Sequence, residues 1–473
     1  MGHFFAAGRG IRLAALFVAL GVVAAAAPAG AQSLADALVT AYLNSPELAA
    51  ARADVKVLSE RAVQARAGGR VRVEGELSLL AVTQTNSGPG RNFPNYPASV
   101  SLSAVQPLYT GGQVENATEA AETRISRQEA FLIATEQQIL LDAVTAYTDV
   151  RRDGKLVSIA RNNVRVLTEQ LRAARERFEV GEVTRTDVEQ ARARLAAAHS
   201  RMAASEGALA VSHEAYRQVV GEYPSKLLPP PPLPDLPSDR DEAVAMALRN
   251  DPGVIAARLE RKAISSDVRS AIGALLPQVS LQGRVSSEET FSDGLAGPER
   301  ATIGIFVTIP FYTGGFNYSN VREAQAEALG ASADIDTNLR AAVRNVGVSW
   351  SNLDVARASI RAGRLEVSAA RLAFEGVQEE AKVGARTTLD VLDAEQEVLD
   401  ARSSLVVSQR DEYVAAYSLL ASVGKLTVDH LGLDTGLAPV SASAEPSYYD
   451  GVRNRNFGYD ATDDTVWNLG WRP

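Results

Sequence analysis

Val180-Gly181-Glu182-Val183-Thr184-Arg185-Thr186-Asp187-Val188 is written a second time, as Val383-Gly384-Ala385-Arg386-Thr387-Thr388-Leu389-Asp390-Val391. The shared frame is Val-Gly-x-x-Thr-x-x-Asp-Val. Glycine reverses a chain without a Cβ clash, and Thr followed three residues later by an acid is a helix-starting capping box. Each stretch therefore predicts the tip of a helical hairpin. Moving outward, Pro107-Leu108-Tyr109-Thr110-Gly111-Gly112 returns as Pro310-Phe311-Tyr312-Thr313-Gly314-Gly315, at the same offset as the tips. Ala41-Tyr42-Leu43-Asn44-Ser45-Pro46 returns as Ala247-Leu248-Arg249-Asn250-Asp251-Pro252, and Gly221 is matched by Gly424. The chain is thus one supersecondary unit used twice.

Each copy reads as helix, strand, loop, strand, long helix, tight turn, helix. The strands alternate with period two. Val71, Val73, Leu77 and Leu79 oppose Arg72, Glu74, Glu76 and Ser78; Val279, Leu281 and Val285 oppose Ser280, Gln282, Arg284 and Ser286. At roughly ten residues, each strand has the length that crosses a bilayer when tilted. The long helices, about 113–180 and 316–383, would each extend on the order of 100 Å. The shorter ones, about 34–67 and 187–220, match one long helix in combined length. Stacked end to end, they form a second column beside it. Leu339, Val346, Leu353, Ile360, Val367 and Phe374 recur every seven residues, interleaved with Ala342, Ser349, Ala356, Gly363 and Ala370. Large residues alternating with small ones suit closely packed coiled-coil columns. In the first copy Asp153 interrupts the same register.

The fold class that follows is mainly α with a transmembrane β-barrel. Four strands cannot close a barrel, and an open edge in lipid costs several kcal/mol per unpaired backbone group. Several chains must share it. Three would supply twelve strands and twelve helical columns, and the single sequence excludes a monomer more firmly than it selects three.

Bulk properties narrow the function. The 473-residue chain has a formal net charge of -9 and no cysteine. It offers no basic patch for nucleic acid, no disulfide framework and no lipid-anchored cysteine. Residues 1-31 read as a signal peptide: Arg9 and Arg12, an apolar run from Ile11 to Ala27, and the small-x-small site Ala29-Gly30-Ala31 before Gln32. The repeats occupy 32-223 and 238-432. They are joined by a Pro-rich linker, 224-237, whose prolines cannot continue a helix. Residues 433-473 read as a flexible tail. His199, His213 and His430 are scattered without metal-ligand spacing, and no phosphate loop or nucleophile elbow is present. No catalytic residue, metal or cofactor is expected, and the chain reads as a non-enzyme. A periplasmic adaptor or structural coiled-coil protein is the other reading, but such a protein needs no bilayer-length strands.

The duplicated Pro-x-Tyr-Thr-Gly-Gly element, the duplicated tip motif and the two repeats together resemble the TolC outer-membrane factor family, over the mature chain to about Leu433. Tyr448-Tyr449-Asp450-Gly451-Val452-Arg453-Asn454-Arg455-Asn456-Phe457-Gly458 resembles the tails of members serving type I secretion. The resemblance implies an exit duct: a homotrimer with a twelve-stranded barrel in outer-membrane lipid and an α-helical tunnel crossing the periplasm. A periplasmic adaptor and an inner-membrane transporter, ABC or proton-driven, would dock at its far end. Such a duct passively conducts secreted proteins or small toxic compounds.

The tips carry the candidate site. Gly181, Gly384, Thr184 and Thr387 form the turns to which an adaptor would dock. The second tip alone has Arg386 and Asp393, where the first has Val183 and Gln190. Asp390 and Asp393 are spaced i, i+3 and share a helix face. The resemblance implies that this pair lines the periplasmic constriction, and that Arg386 bonds Thr186 and Asp187 of the first tip as a latch. The family's archetype has a tyrosine three residues before the tip glycine that joins this latch; that position is Ala381 here, so a weaker latch is expected.

Overall fold

The computed structural model describes residues 31–83, 94–95, 97–290 and 295–435. The signal-peptide reading, and the tail reading from residue 436 onward, lie outside the described residues.

The first copy runs α1 (Leu34–Asn44), α2 (Pro46–Ala67), β1 (Arg72–Leu79), the short pair β2 (Val82–Thr83) and β3 (Pro94–Asn95), β4 (Pro97–Tyr109), α3 (Gln113–Glu179) and α4 (Arg185–Val220). The second runs α5 (Arg240–Asn250), α6 (Pro252–Gly273), β5 (Gln278–Thr290), β6 (Leu295–Thr308), α7 (Phe316–Lys382) and α8 (Thr388–Ser422). Helices α3 and α7 are each 67 residues long, about 100 Å.

The expected helix 34–67 is two helices. Pro46 has no N–H and disfavours helical geometry in the residue before it. Ser45 accordingly sits extended, at φ -67 and ψ 119, and its side chain accepts from Leu48 N to restart the helix. Asp251 repeats this before Pro252, capping Val254 N.

The heptad positions Val346, Leu353 and Ile360 are buried together with Ala342, Ser349, Ala356 and Gly363. Asp153, the residue that breaks the first copy's register, is also buried, and Arg152 Nε donates to its Oδ1 at 2.8 Å. A buried carboxylate is tolerated there because it is paired.

The four long strands form one antiparallel sheet in the order β1-β4-β5-β6. The register pairs Leu77 with Val100 and Leu102 with Val285 on one face. Glu76, Ser101 and Arg284 lie on the other, where Arg284 Nη2 donates to Ser101 Oγ at 3.1 Å. The apolar face is exposed in a single chain, with Leu77, Val100, Leu102 and Val285 all more than half exposed, and β1 and β6 are the sheet's edges. No described helix is long and apolar enough to cross a membrane.

The largest core lies midway along the columns. Leu34, Leu38 and Tyr42 of α1 pack against Leu140, Val144 and Tyr147 of α3. The linker is fixed there: Tyr147 Oη donates to Leu228 O at 2.8 Å, and Tyr413 Oη donates to Pro231 O. The segment after α8 folds back to the same core, where Val428 N donates to buried Glu136 at 2.7 Å.

Candidate gate at the hairpin tips

Each long hairpin reverses on its glycine. Gly181 and Gly384 have φ of +79 and +78, and a Cβ at either would touch nothing within 4 Å. Their requirement is conformational rather than steric. Gly181 N donates to Phe178 O at 3.0 Å, and Gly384 N to Ala381 O at 3.1 Å.

Both returning helices open with the full capping box. Thr184 N and Oγ1 donate to Asp187 Oδ2 at 2.9 and 2.8 Å. Thr387 N and Oγ1 donate to Asp390 Oδ2, both at 2.8 Å. These bonds, the backbone one first, hold the Asp390 carboxyl below its ordinary value, with Arg386 adding to the effect. Asp390 is therefore a fixed negative charge at the helix N-terminus.

Arg386 does not reach the first tip within one chain. Its Nε donates to Glu380 Oε2 at 2.8 Å, four residues before Gly384. Asp187 is occupied by Thr184, and Thr186 is exposed beside it. Asp393 is engaged as well: Arg194 Nη2 of α4 donates to its Oδ1 at 2.5 Å. Two residues further along α8, Gln170 of α3 donates to Glu395 at 2.6 Å. Glu395 is buried, and burial raises its pKa despite the Gln170 bond. The two hairpins of one chain are thus joined near the tips by Arg194–Asp393 and Gln170–Glu395.

Sequence reasoning did not find Arg194, Glu380, Gln170 or Glu395. Glu380 lies six residues from Arg386 across the Gly384 turn, a separation that helical spacing does not single out. Arg194 and Gln170 were out of reach as well, since their partners are about two hundred residues away and only the packing of α3 and α4 on α8 brings them together.

A profile of the outer membrane efflux protein family matches residues 37–222 and 243–425, one stretch in each copy. The outer membrane efflux protein BepC of Brucella suis is 34% identical over 452 residues, covering 95% of this chain and 97% of that protein. The outer membrane protein TolC of Escherichia coli K12 is 26% identical over 88% of this chain and 87% of its own length. The alkaline protease secretion protein AprF of Pseudomonas aeruginosa is 25% identical over 72% of both. Among solved structures, CusC superposes with a TM-score of 0.74 at 19% identity, covering 83% of this chain and 92% of that one. The outer membrane protein VceC of Vibrio cholerae superposes with a TM-score of 0.70 at 21% identity, covering 83% and 96%.

Proposed function

The chain belongs to the outer membrane efflux protein family, and from that premise we propose that it is the outer-membrane exit duct of a tripartite export machine, passively conducting secreted proteins or small toxic compounds. The observation that carries this reading is the sheet β1-β4-β5-β6, apolar on one face and polar on the other, standing on a bundle of columns about 100 Å long. A strand set of that kind spans lipid only when closed, and a single chain leaves both edges open.

A homotrimer closes it. Each β6 then pairs with the β1 of the next chain, giving twelve strands around a polar lumen. The columns support the same count of contacts. On α7, Val348, Val355, Leu365 and Leu372 are 54–72% exposed. On α4, Ala204, Gly207, Ala208 and Val211 form an exposed stripe of mostly small residues. Large residues on one helix facing small residues on another is the arrangement already buried inside the chain. Phe311 and Tyr312, 90% and 89% exposed where the sheet meets α7, suit the headgroup level of outer-membrane lipid.

At the far end, the tips at Gly181, Thr184, Gly384 and Thr387 would receive a periplasmic adaptor and an inner-membrane transporter. Three copies of Asp390 and Asp393 would ring the mouth. Arg386 would exchange Glu380 for Asp187 and Thr186, tying the second tip to the first. Mass measurement in detergent tests the duct, together with single-channel recording in planar bilayers. A trimer that conducts is expected; a monomer that inserts stably would refute the shared barrel.

A further inference from the structure

Helices α6 and α8 each pack on both α3 and α7. The chain leaves α8 beside the break between α5 and α6: Gly424 turns at φ +75, and a Cβ there would collide with Asn250 O. These elements do not fill the space they surround. A cavity of about 280 Å³ remains between α3, the start of α6, α7 and the end of α8.

Gln137 of α3 lines this cavity and is 6% exposed. Its Nε2 is enclosed and has no hydrogen-bond partner among the described residues. A buried amide left unpaired is costly, and only something inside the cavity can answer this one. The facing walls offer further groups. Asp251 accepts from Val254 N through Oδ1 at 2.9 Å, and its other oxygen has no partner among the described residues. Asn338 donates Nδ2 to Asp334 O at 2.8 Å. That leaves its Oδ1 beside the start of α6, 3.4 Å from where a Cβ on Gly253 would stand. As the second residue of α6, Gly253 has an N–H with no partner in its own helix. Ala342 and Ala421 line the space between these groups, and no Lys, Arg or His among the described residues lines it.

The set selects a class of ligand. An anion would meet the Asp251 carboxylate. A simple cation would satisfy Asp251 and Asn338 but leave the donors of Gln137 and Gly253 unanswered. A hydroxyl both donates and accepts. Water does so too, and the volume would hold about nine waters. Waters against Ala342 and Ala421 would find no partners there, whereas a carbon frame carrying several hydroxyls would put C–H groups on the alanines and O–H groups on the polar walls. We propose that this cavity binds a small neutral polyhydroxy solute of the sugar or polyol class, held by Gln137, Asp251, Asn338 and the Gly253 N–H. The duplication does not repeat the set: Gln137 corresponds to Arg340 and Asn338 to Thr135, so each chain holds one such site. Every wall comes from one chain, so the proposal stands apart from the duct reading and needs no second copy.

The test uses the full-length protein in a detergent without a sugar headgroup, with D-glucose, myo-inositol and methylammonium as probes. Ligand-observed NMR should show saturable binding of at least one of the two polyols, at one site per chain, and no competition by methylammonium. Gln137→Leu should weaken that binding by about tenfold, the worth of one hydrogen bond. It exchanges an unpaired amide for an apolar group of similar size, so it should melt no lower than the unaltered protein. Asn338→Leu, on the half-buried facing wall, should weaken binding likewise and gives a second reading if the first variant folds poorly. Asp251→Asn keeps the cap of α6 and should retain most of the polyol affinity. Unchanged affinity in both leucine variants would overturn the site. Methylammonium binding that Asp251→Asn abolishes would overturn it in favour of a cation site. Saturable binding of neither polyol would overturn it in favour of a water-filled break. All three results leave the duct reading intact, which fails only on a stable inserting monomer.

Discussion

Glu395 is a carboxylate 8% exposed between two hairpins, bonded to Gln170. Burial raises its pKa, so the folded chain holds the proton more tightly than the unfolded one. The stability this confers is complete below the ordinary glutamate value of about 4.3 and is lost as pH rises through the raised value. Glu395→Gln removes the titration while keeping an amide that can bond Gln170. The variant should melt above the parent at neutral pH, and the gap should close on acidification; a gap constant from pH 4 to 8 would sink the assignment. Gly111 makes a different demand. Its φ is +66, and a Cβ there would lie 2.4 Å from Gly273 O. Gly181 has a similar φ of +79 with open space around it. Gly181→Ala should cost about 1–2 kcal/mol, the left-handed penalty alone. Gly111→Ala should cost distinctly more in thermal unfolding, because the α6 end must also shift. Equal costs would mean that the turn at Gly111 is not held against α6.

At the scale of elements, restarting a helix after a proline depends on one side chain. Ser45→Ala and Asp251→Ala should each lose about 1 kcal/mol by removing the cap of α2 or α6, read as a fall in the melting temperature. An unchanged melting temperature in both would show that packing alone restarts these helices. These two breaks also mark the limit of what the sequence made legible. Helical hairpins, strands and tips were readable because period, glycine and capping box are local signals, and the heptad residues Val346, Leu353 and Ile360 are buried as their spacing required. The break at Ser45 was missed because 34–67 was read by its combined length with 187–220, which passed over the local signal of Pro46, a proline that disfavours helix in the residue before it. The cross-hairpin bonds Arg194–Asp393 and Gln170–Glu395 were unreadable for another reason: each joins residues about two hundred positions apart, and no periodicity encodes which faces of α3, α4 and α8 meet.

At the scale of the whole molecule, the gate should follow from which charges at the mouth are already spent. In one chain Arg194 answers Asp393 at 2.5 Å, whereas Asp390 is held by Thr387 and lies near Arg386. A hydroxyl and an amide fix a carboxylate without cancelling its charge, so Asp390 should dominate the field at the mouth and Asp393 should contribute only as far as Arg194 lets it. Single-channel recording with multivalent cations on the periplasmic side separates these roles, since crowded carboxylates attract such ions. Asp390→Asn should weaken the block. Arg194→Gln should strengthen it, because Asp393 is released. Replacing both aspartates by Asn should weaken it most. If Arg386 exchanges Glu380 for Asp187 of the first tip as proposed, Arg386→Ala should leave block in place yet raise resting conductance, because the arginine carries no share of the ring. Ala381, three residues before the tip glycine, offers no phenol to reinforce that arginine, and the unaltered channel should already conduct measurably at rest. If Arg194→Gln left the block unchanged while Asp390→Asn weakened it, Asp393 would stand outside the pore and the constriction would be a ring of three carboxylates, one from each chain.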